Sequence, residues 1–171
     1  IFQQVQGAFI ELFVRVDAVI DENEPSETNY IIYEQSRIGS KAMSLGEAKK
    51  HTSFEVKVPT YVPSDFKLEY VNVIKKQDKQ LSEEIYLHYE GNGRSFVIGE
   101  LFIKDFNGTA VIADFEDVEG EQISINNQLA NLVSYKDGTL ELIWVVDEVF
   151  YYEIKGILSR DEIIAIAESM H

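Results

Sequence analysis

A chain of 171 residues, 45% of them hydrophobic and 26% charged, has the size and composition of one globular domain, or of one domain with an appendage. Thirty acidic against fifteen basic side chains leave a formal charge of -15, which repels phosphate backbones and anionic head groups and argues against nucleic acid as a partner. Cysteine is absent, which excludes disulfide scaffolds, thiolate metal sites and thiol nucleophiles together.

In Ile1–Ile20 the residues Phe2, Val5, Phe9, Leu12, Phe13, Val16 and Ile20 recur at three- and four-residue steps. That spacing predicts one face of an amphipathic helix about 30 Å long. Ala8, Ile10 and Val14 make it more apolar than an ordinary surface helix. It is expected to fold back on a sheet, to pair with a second copy of itself as a homodimer, or to lie near a bilayer; periodicity does not choose. Gln3, Gln4, Gln6, Glu11, Arg15 and Asp17 keep it short of the roughly 18 uninterrupted apolar residues of a membrane span. It lacks the basic leader and small-residue cleavage site of a signal peptide. The sequence starts without Met, and a membrane anchor is expected before Ile1.

Asp21–Glu27 reads as an acidic loop with Pro25, and Asn29–Glu34 as a short strand followed by a Gly/Ser-bearing connection to Met43. Ser44 with Glu47 fits a capping box opening a short helix to about His51. Phe54–Val58 alternates strictly and predicts a strand that stops at Pro59; Pro63, Ser64 and Asp65 mark a turn. Further strands are predicted at Lys67–Lys75, Glu84–Glu90, Ser95–Phe106, Gln122–Asn126, Leu129–Tyr135, Thr139–Val146 and Val149–Lys155. Their short turns, at Gly91-Asn92-Gly93, Asn126-Asn127, Lys136-Asp137-Gly138 and Asp147-Glu148, permit only antiparallel neighbours. Ser159 and Glu162 form a second capping box, and Ile163, Ile166, Ala167 and Met170 make the buried stripe of a closing helix, with Leu142 and Trp144 facing it. The expected class is α+β: an antiparallel sheet of roughly six to eight strands, a C-terminal helix on one face and an N-terminal amphipathic helix. The expected division is an N-terminal helix and linker, 1–43, and a sheet domain, 44–171.

The search for chemistry singles out no catalytic, cofactor-binding or metal-ligating residue. Ser64 and Lys67 have Ser-x-x-Lys spacing, but the pair enters a strand after a proline turn, where that acylation chemistry needs a helix start. Gly91 and Gly93 lack the third glycine and the helix of a phosphate cradle. Asp114, Glu116, Asp117, Glu119 and Glu121 lack calcium-loop spacing and read as a solvated loop, with a weak cation site as the alternative. His51, His88 and His171 are too scattered for metal ligation, and His88 between Leu87 and Tyr89 reads as a half-exposed strand position. Tyr70, Tyr86, Tyr89, Tyr135, Trp144, Phe150, Tyr151 and Tyr152 all fall in predicted strands, where packing is the default role and an aromatic-lined groove the alternative.

Residues 44–170 carry a recognisable pattern. SLGEAKKHTSFEVKVPTYVPSDFKLEYVNV contains Phe-x-Val-x-x-Pro-x-Tyr-x-Pro-x-x-Phe-x-Leu, and the end reads LELIWVVDEVFYYEIKGILSRDEIIAIAESM. Together they resemble the extracytoplasmic domain of unknown function (a DUF family) of Gram-positive transmembrane proteins, many with an anti-sigma-factor-like cytoplasmic part. More distantly, the Pro-x-x-Phe strand start and the Ile-Ala-x-Ser-Met helix end are similar to the C-terminal domain of periplasmic sigma-E regulators. The resemblance implies a domain outside the membrane, anchored to it in the full-length protein, with a sensing or protein-interaction role. It brings no catalytic residues and no cofactor. The expected function is therefore a non-enzymatic sensor or interaction module of a membrane-anchored regulator of a sigma factor. A carrier for an apolar envelope ligand such as lipid is the alternative.

Overall fold

The computed structural model describes residues 37–76, 79–102, 118–147 and 149–170. Among the described residues eight strands make one antiparallel sheet: β1 (Arg37–Met43), β2 (Lys67–Lys76), β3 (Glu84–Gly91), β4 (Arg94–Phe102), β5 (Val118–Ile125), β6 (Gln128–Tyr135), β7 (Leu140–Val146) and β8 (Phe150–Gly156). Two short helices accompany it, α1 (Leu45–Ala48) and α2 (Arg160–Glu168). The described part is thus mostly β, with the C-terminal helix packed on the sheet. The N-terminal amphipathic helix and the Asn29–Glu34 strand lie outside the described residues.

The strand order is β1-β2-β3-β4-β8-β7-β6-β5. Two four-stranded meanders therefore meet edge to edge, β4 against β8. Tight turns set the local registers. Asn92 and Gly93 between β3 and β4, and Asn126 and Asn127 between β5 and β6, all have positive φ, as two-residue hairpins require.

Register brings side chains into lateral rows. On one face Leu132, Leu142, Ile154, Ile98, Leu87 and Val71 line up across six strands, each no more than 2% exposed. Their cover comes from α1, from α2 through Ile163, Ile166 and Ala167, and from the extended segment 53–66, which forms a strap holding Val56 and Phe66 in the same core. α2 starts as its sequence dictates. The Ser159 hydroxyl accepts from the Glu162 amide and the Glu162 carboxylate accepts from the Ser159 amide, a complete capping box. At α1 the Ser44 hydroxyl likewise accepts from the Glu47 amide, while the Glu47 carboxylate takes Lys50 at 3.0 Å.

Three expectations are corrected. Phe54–Val58 is not a strand of the sheet. Its apolar side chains pack downward onto the covered face, and its backbone joins no ladder. The connection expected before Met43 is instead the edge strand β1, which pairs with β2 despite Gly39 and Ser40, with a register shift between Arg37 and Gly39. The α1 helix also ends sooner than expected, at Ala48.

Candidate functional site

The face of the sheet turned away from α2 is built from the alternate residues of the same strands. Asn131, Ile143, Glu153, Gly99, Tyr86 and Asn72 form one lateral row, and Val133, Glu141, Lys155, Val97, His88 and Tyr70 the next. Near the centre these rows place carboxylates among tyrosines. The Tyr86 hydroxyl donates to Glu84 Oε1 at 2.7 Å. The Tyr135 hydroxyl donates to Glu141, and Lys155 Nζ donates to Glu141 Oε2 at 3.1 Å while lying over the Tyr135 ring. Gly99 leaves room for this packing, because a Cβ there would meet Tyr86 Cε1 at 3.0 Å.

Glu153 stands beside Glu141 within this network. Burial pushes its carboxyl up to about 8, and the nearby Glu141 charge, a hydrogen bond to Glu141 and Glu84 add to the shift, outweighing Lys155. Burial and the like charge beside it make the ionised form of Glu153 the harder one to hold at neutral pH. Glu84 and Glu141 are buried, and Glu153 is half-buried. Toward β2 the face opens to solvent. There the exposed Tyr70 ring stacks on His88 with centroids 4.3 Å apart, and Asn72 Nδ2 meets His88 Nε2 at 3.3 Å. Burial lowers the His88 pKa against the pull of Glu90, and in the tautomer with its proton on Nδ1 the His88 Nε2 accepts from the Asn72 amide.

The covered face holds a single-residue anomaly. Its row Ala130, Trp144, Tyr152, Glu100, Ile85 and Val73 is apolar but for Glu100. This side chain is 1% exposed; Oε2 accepts from the Lys57 amide of the strap at 3.0 Å, and Oε1 has no hydrogen-bond partner. Burial pushes Glu100 up to about 8 against the pull of Lys57 and Lys49. At the same end of this face Phe54, Phe102 and Phe150 cluster with centroids 4.9 to 6.2 Å apart.

Arg94 fastens the opposite end. Its guanidinium takes both oxygens of Glu162 at 3.0 and 3.1 Å, takes Asp65 at 2.9 Å, and lies over the Phe66 ring. The Glu162 carboxylate is held down at about 2, first by Arg94 and then by the Ser159 amide. A solvent-open depression lined by Glu69, Glu90, Asn92, Arg94 and Ser95 lies at the β3–β4 turn, where Arg94 already has both of its acidic partners.

The residues singled out in the sequence do not converge. Asp65, between Ser64 and Lys67, belongs to the Arg94 clamp, and Gly93 is a hairpin turn. His88 holds the half-exposed strand position expected of it. In the acidic run, Asp114, Glu116 and Asp117 lie outside the described residues; Glu119 and Glu121 belong to strand β5 rather than a loop, and Glu121 pairs with Arg160 at 2.9 Å. Among the described residues no three His, Asp or Glu side chains are grouped to hold a metal ion, and no helix is long and apolar enough to cross a membrane. The aromatics divide by parity: Tyr89, Trp144, Phe150 and Tyr152 face the core, whereas Tyr70, Tyr86, Tyr135 and Tyr151 share the opposite face. Sequence reasoning passed over Glu100, although it shares strand parity with Phe96, Ile98 and Phe102.

Neither a curated protein nor a solved structure matches the chain. The family model of a domain of unknown function, DUF4367, matches residues 56–170, from within the strap to the end of α2, and the chain belongs to that family.

Proposed function

We propose that this domain is a non-enzymatic extracytoplasmic sensor or protein-interaction module of a membrane-anchored regulator, and that the regulated partner is a sigma factor. The observation that carries the contact role is the face opposite α2. It presents the Tyr70–His88 stack, Tyr86 and Lys155 toward solvent on a sheet whose other face is already occupied by α1, α2 and the strap. Tyrosine and histidine on a rigid sheet supply contact area at small entropic cost. The motif resemblance of residues 44–170 supports the extracytoplasmic and sigma-factor parts of the reading.

Deleting the codons for residues 44–171 in the native host and profiling transcripts tests it. One sigma-factor regulon should change its expression, and the intact domain should be cut by protease added outside the membrane. An unchanged transcriptome, or a domain protected until the cells are lysed, overturns the reading.

The carrier reading draws on a separate observation, the half-buried trio Phe54, Phe102 and Phe150 at one end of the covered face. Lipid recovered in stoichiometric amount from protein purified from its own host would favour it. Solvent extracts without lipid would remove it.

A further inference from the structure

Glu100 is a carboxyl group where apolar packing alone would place an aliphatic side chain, and it touches the strap at its least supported stretch. The strap is tied at its start by the Ser53 amide to the Ser82 carbonyl, 2.8 Å, and at its end by the Thr60 and Tyr61 amides to Ser169 and by Asp65 to Arg94. Between Ser53 and Thr60, the hydrogen bonds of the described residues give it one tie to the sheet, the Lys57 amide on Glu100 Oε2.

We propose that Glu100 is a proton-operated latch: its protonated carboxyl holds the strap shut, and its ionisation frees Val56 and Lys57 from the sheet. A neutral Oε1 without a partner costs far less in this setting than a charged one. The groups facing it are Lys57 from the strap, Lys49 after α1, Tyr89 from β3 and Tyr152 from β8. Both tyrosines are pushed up to about 12, so neither ionises before Glu100. The two lysines favour the charged form, but they do not offset burial, and Glu100 keeps its proton to about pH 8. Lifting the strap admits water to both carboxyl oxygens and releases that proton. Opening also reaches Tyr152, which stacks on Trp144 at 5.3 Å, so the chain's only tryptophan reports the movement.

Amide exchange at Lys57 in the 171-residue chain, corrected for intrinsic rates between pH 6 and 9, tests the latch. Each opening loses one proton, so protection should fall about tenfold per pH unit up to about pH 8 and level off above it. Glu100→Gln keeps an acceptor for Lys57 but does not ionise, and its profile should be flat. A flat profile in the native chain, or an equal fall in the variant, overturns the proposal. If the variant does not fold, the native chain still decides: Trp144 fluorescence and the carboxyl carbon signal of Glu100 must change with one midpoint, and separate midpoints overturn it. The measurement needs no partner, so its failure leaves the regulatory reading untouched, and the reverse holds too.

Discussion

A carboxyl group removed from water keeps its proton unless a cation replaces the lost hydration, and the sheet shows this on both faces. Glu100 lacks such a cation within bonding distance, whereas Glu153 competes with Glu141 for one, Lys155. Glu141→Gln removes the like charge and leaves Lys155 to Glu153. The Glu153 carboxyl should then titrate below its present value of about 8, read from carboxyl carbon shifts against pH. An unchanged titration would show that burial alone sets it. The Glu100 anomaly was legible in the sequence, because parity along Phe96, Ile98, Glu100 and Phe102 points a carboxylate inward. The Glu141–Glu153 pairing was not, since it depends on the β7–β8 register that sets Ile143 opposite Glu153.

At the scale of elements, α2 is fixed by a few residues that act locally. The Ser159–Glu162 capping box starts it, and Ile163 and Ile166, both 0% exposed, anchor it on the sheet. Truncating either isoleucine to Ala should cost about 2–5 kcal/mol, since both the transferred methyl groups and the cavity count. A urea midpoint that stays in place would refute the packing. This helix and the hairpin turns were readable because their signals sit within four residues of one another. The strap was misread for a physical reason. Phe54, Val56 and Val58 alternate as a strand does, yet burying one side of an extended segment needs only packing, not a ladder. Strand β1 was missed for the opposite reason: Gly39 and Ser40 lower its intrinsic preference, and pairing with β2 supplies what the local sequence lacks.

For the molecule as a whole, the shifted carboxyl groups set a stability profile with two flanks. Glu100 and Glu153 titrate higher in the folded state than in the unfolded chain, so their contribution is complete below the ordinary carboxylate range and is lost as pH rises toward about 8. For Glu100 the loss is on the order of a few kcal/mol. Glu162 is the reverse case: its folded value of about 2 contributes above the ordinary range, and that part is lost as pH falls toward 2. Self-repulsion of a chain of formal charge -15 adds to the alkaline loss. The urea midpoint should therefore be highest at mildly acidic pH and lower on either side, with the larger fall by pH 8 and the smaller by pH 3. A midpoint that climbs steadily from pH 5 to pH 8 would refute the assignment of both raised carboxyl groups.

The junction of β4 with β8 has a consequence for how the molecule is assembled. From β2 to β4 and from β5 to β8 every hydrogen-bonded neighbour follows along the chain through a short connection, so those strands zip up from their own turns, whereas β1 reaches β2 only across α1 and the strap. Joining Ile98 to Ile154 requires closing a far longer stretch of polypeptide, whose entropy opposes it until the rows on both sides interlock. The turn-linked strands are thus expected to form first, and the suture between β4 and β8 to be sewn after them.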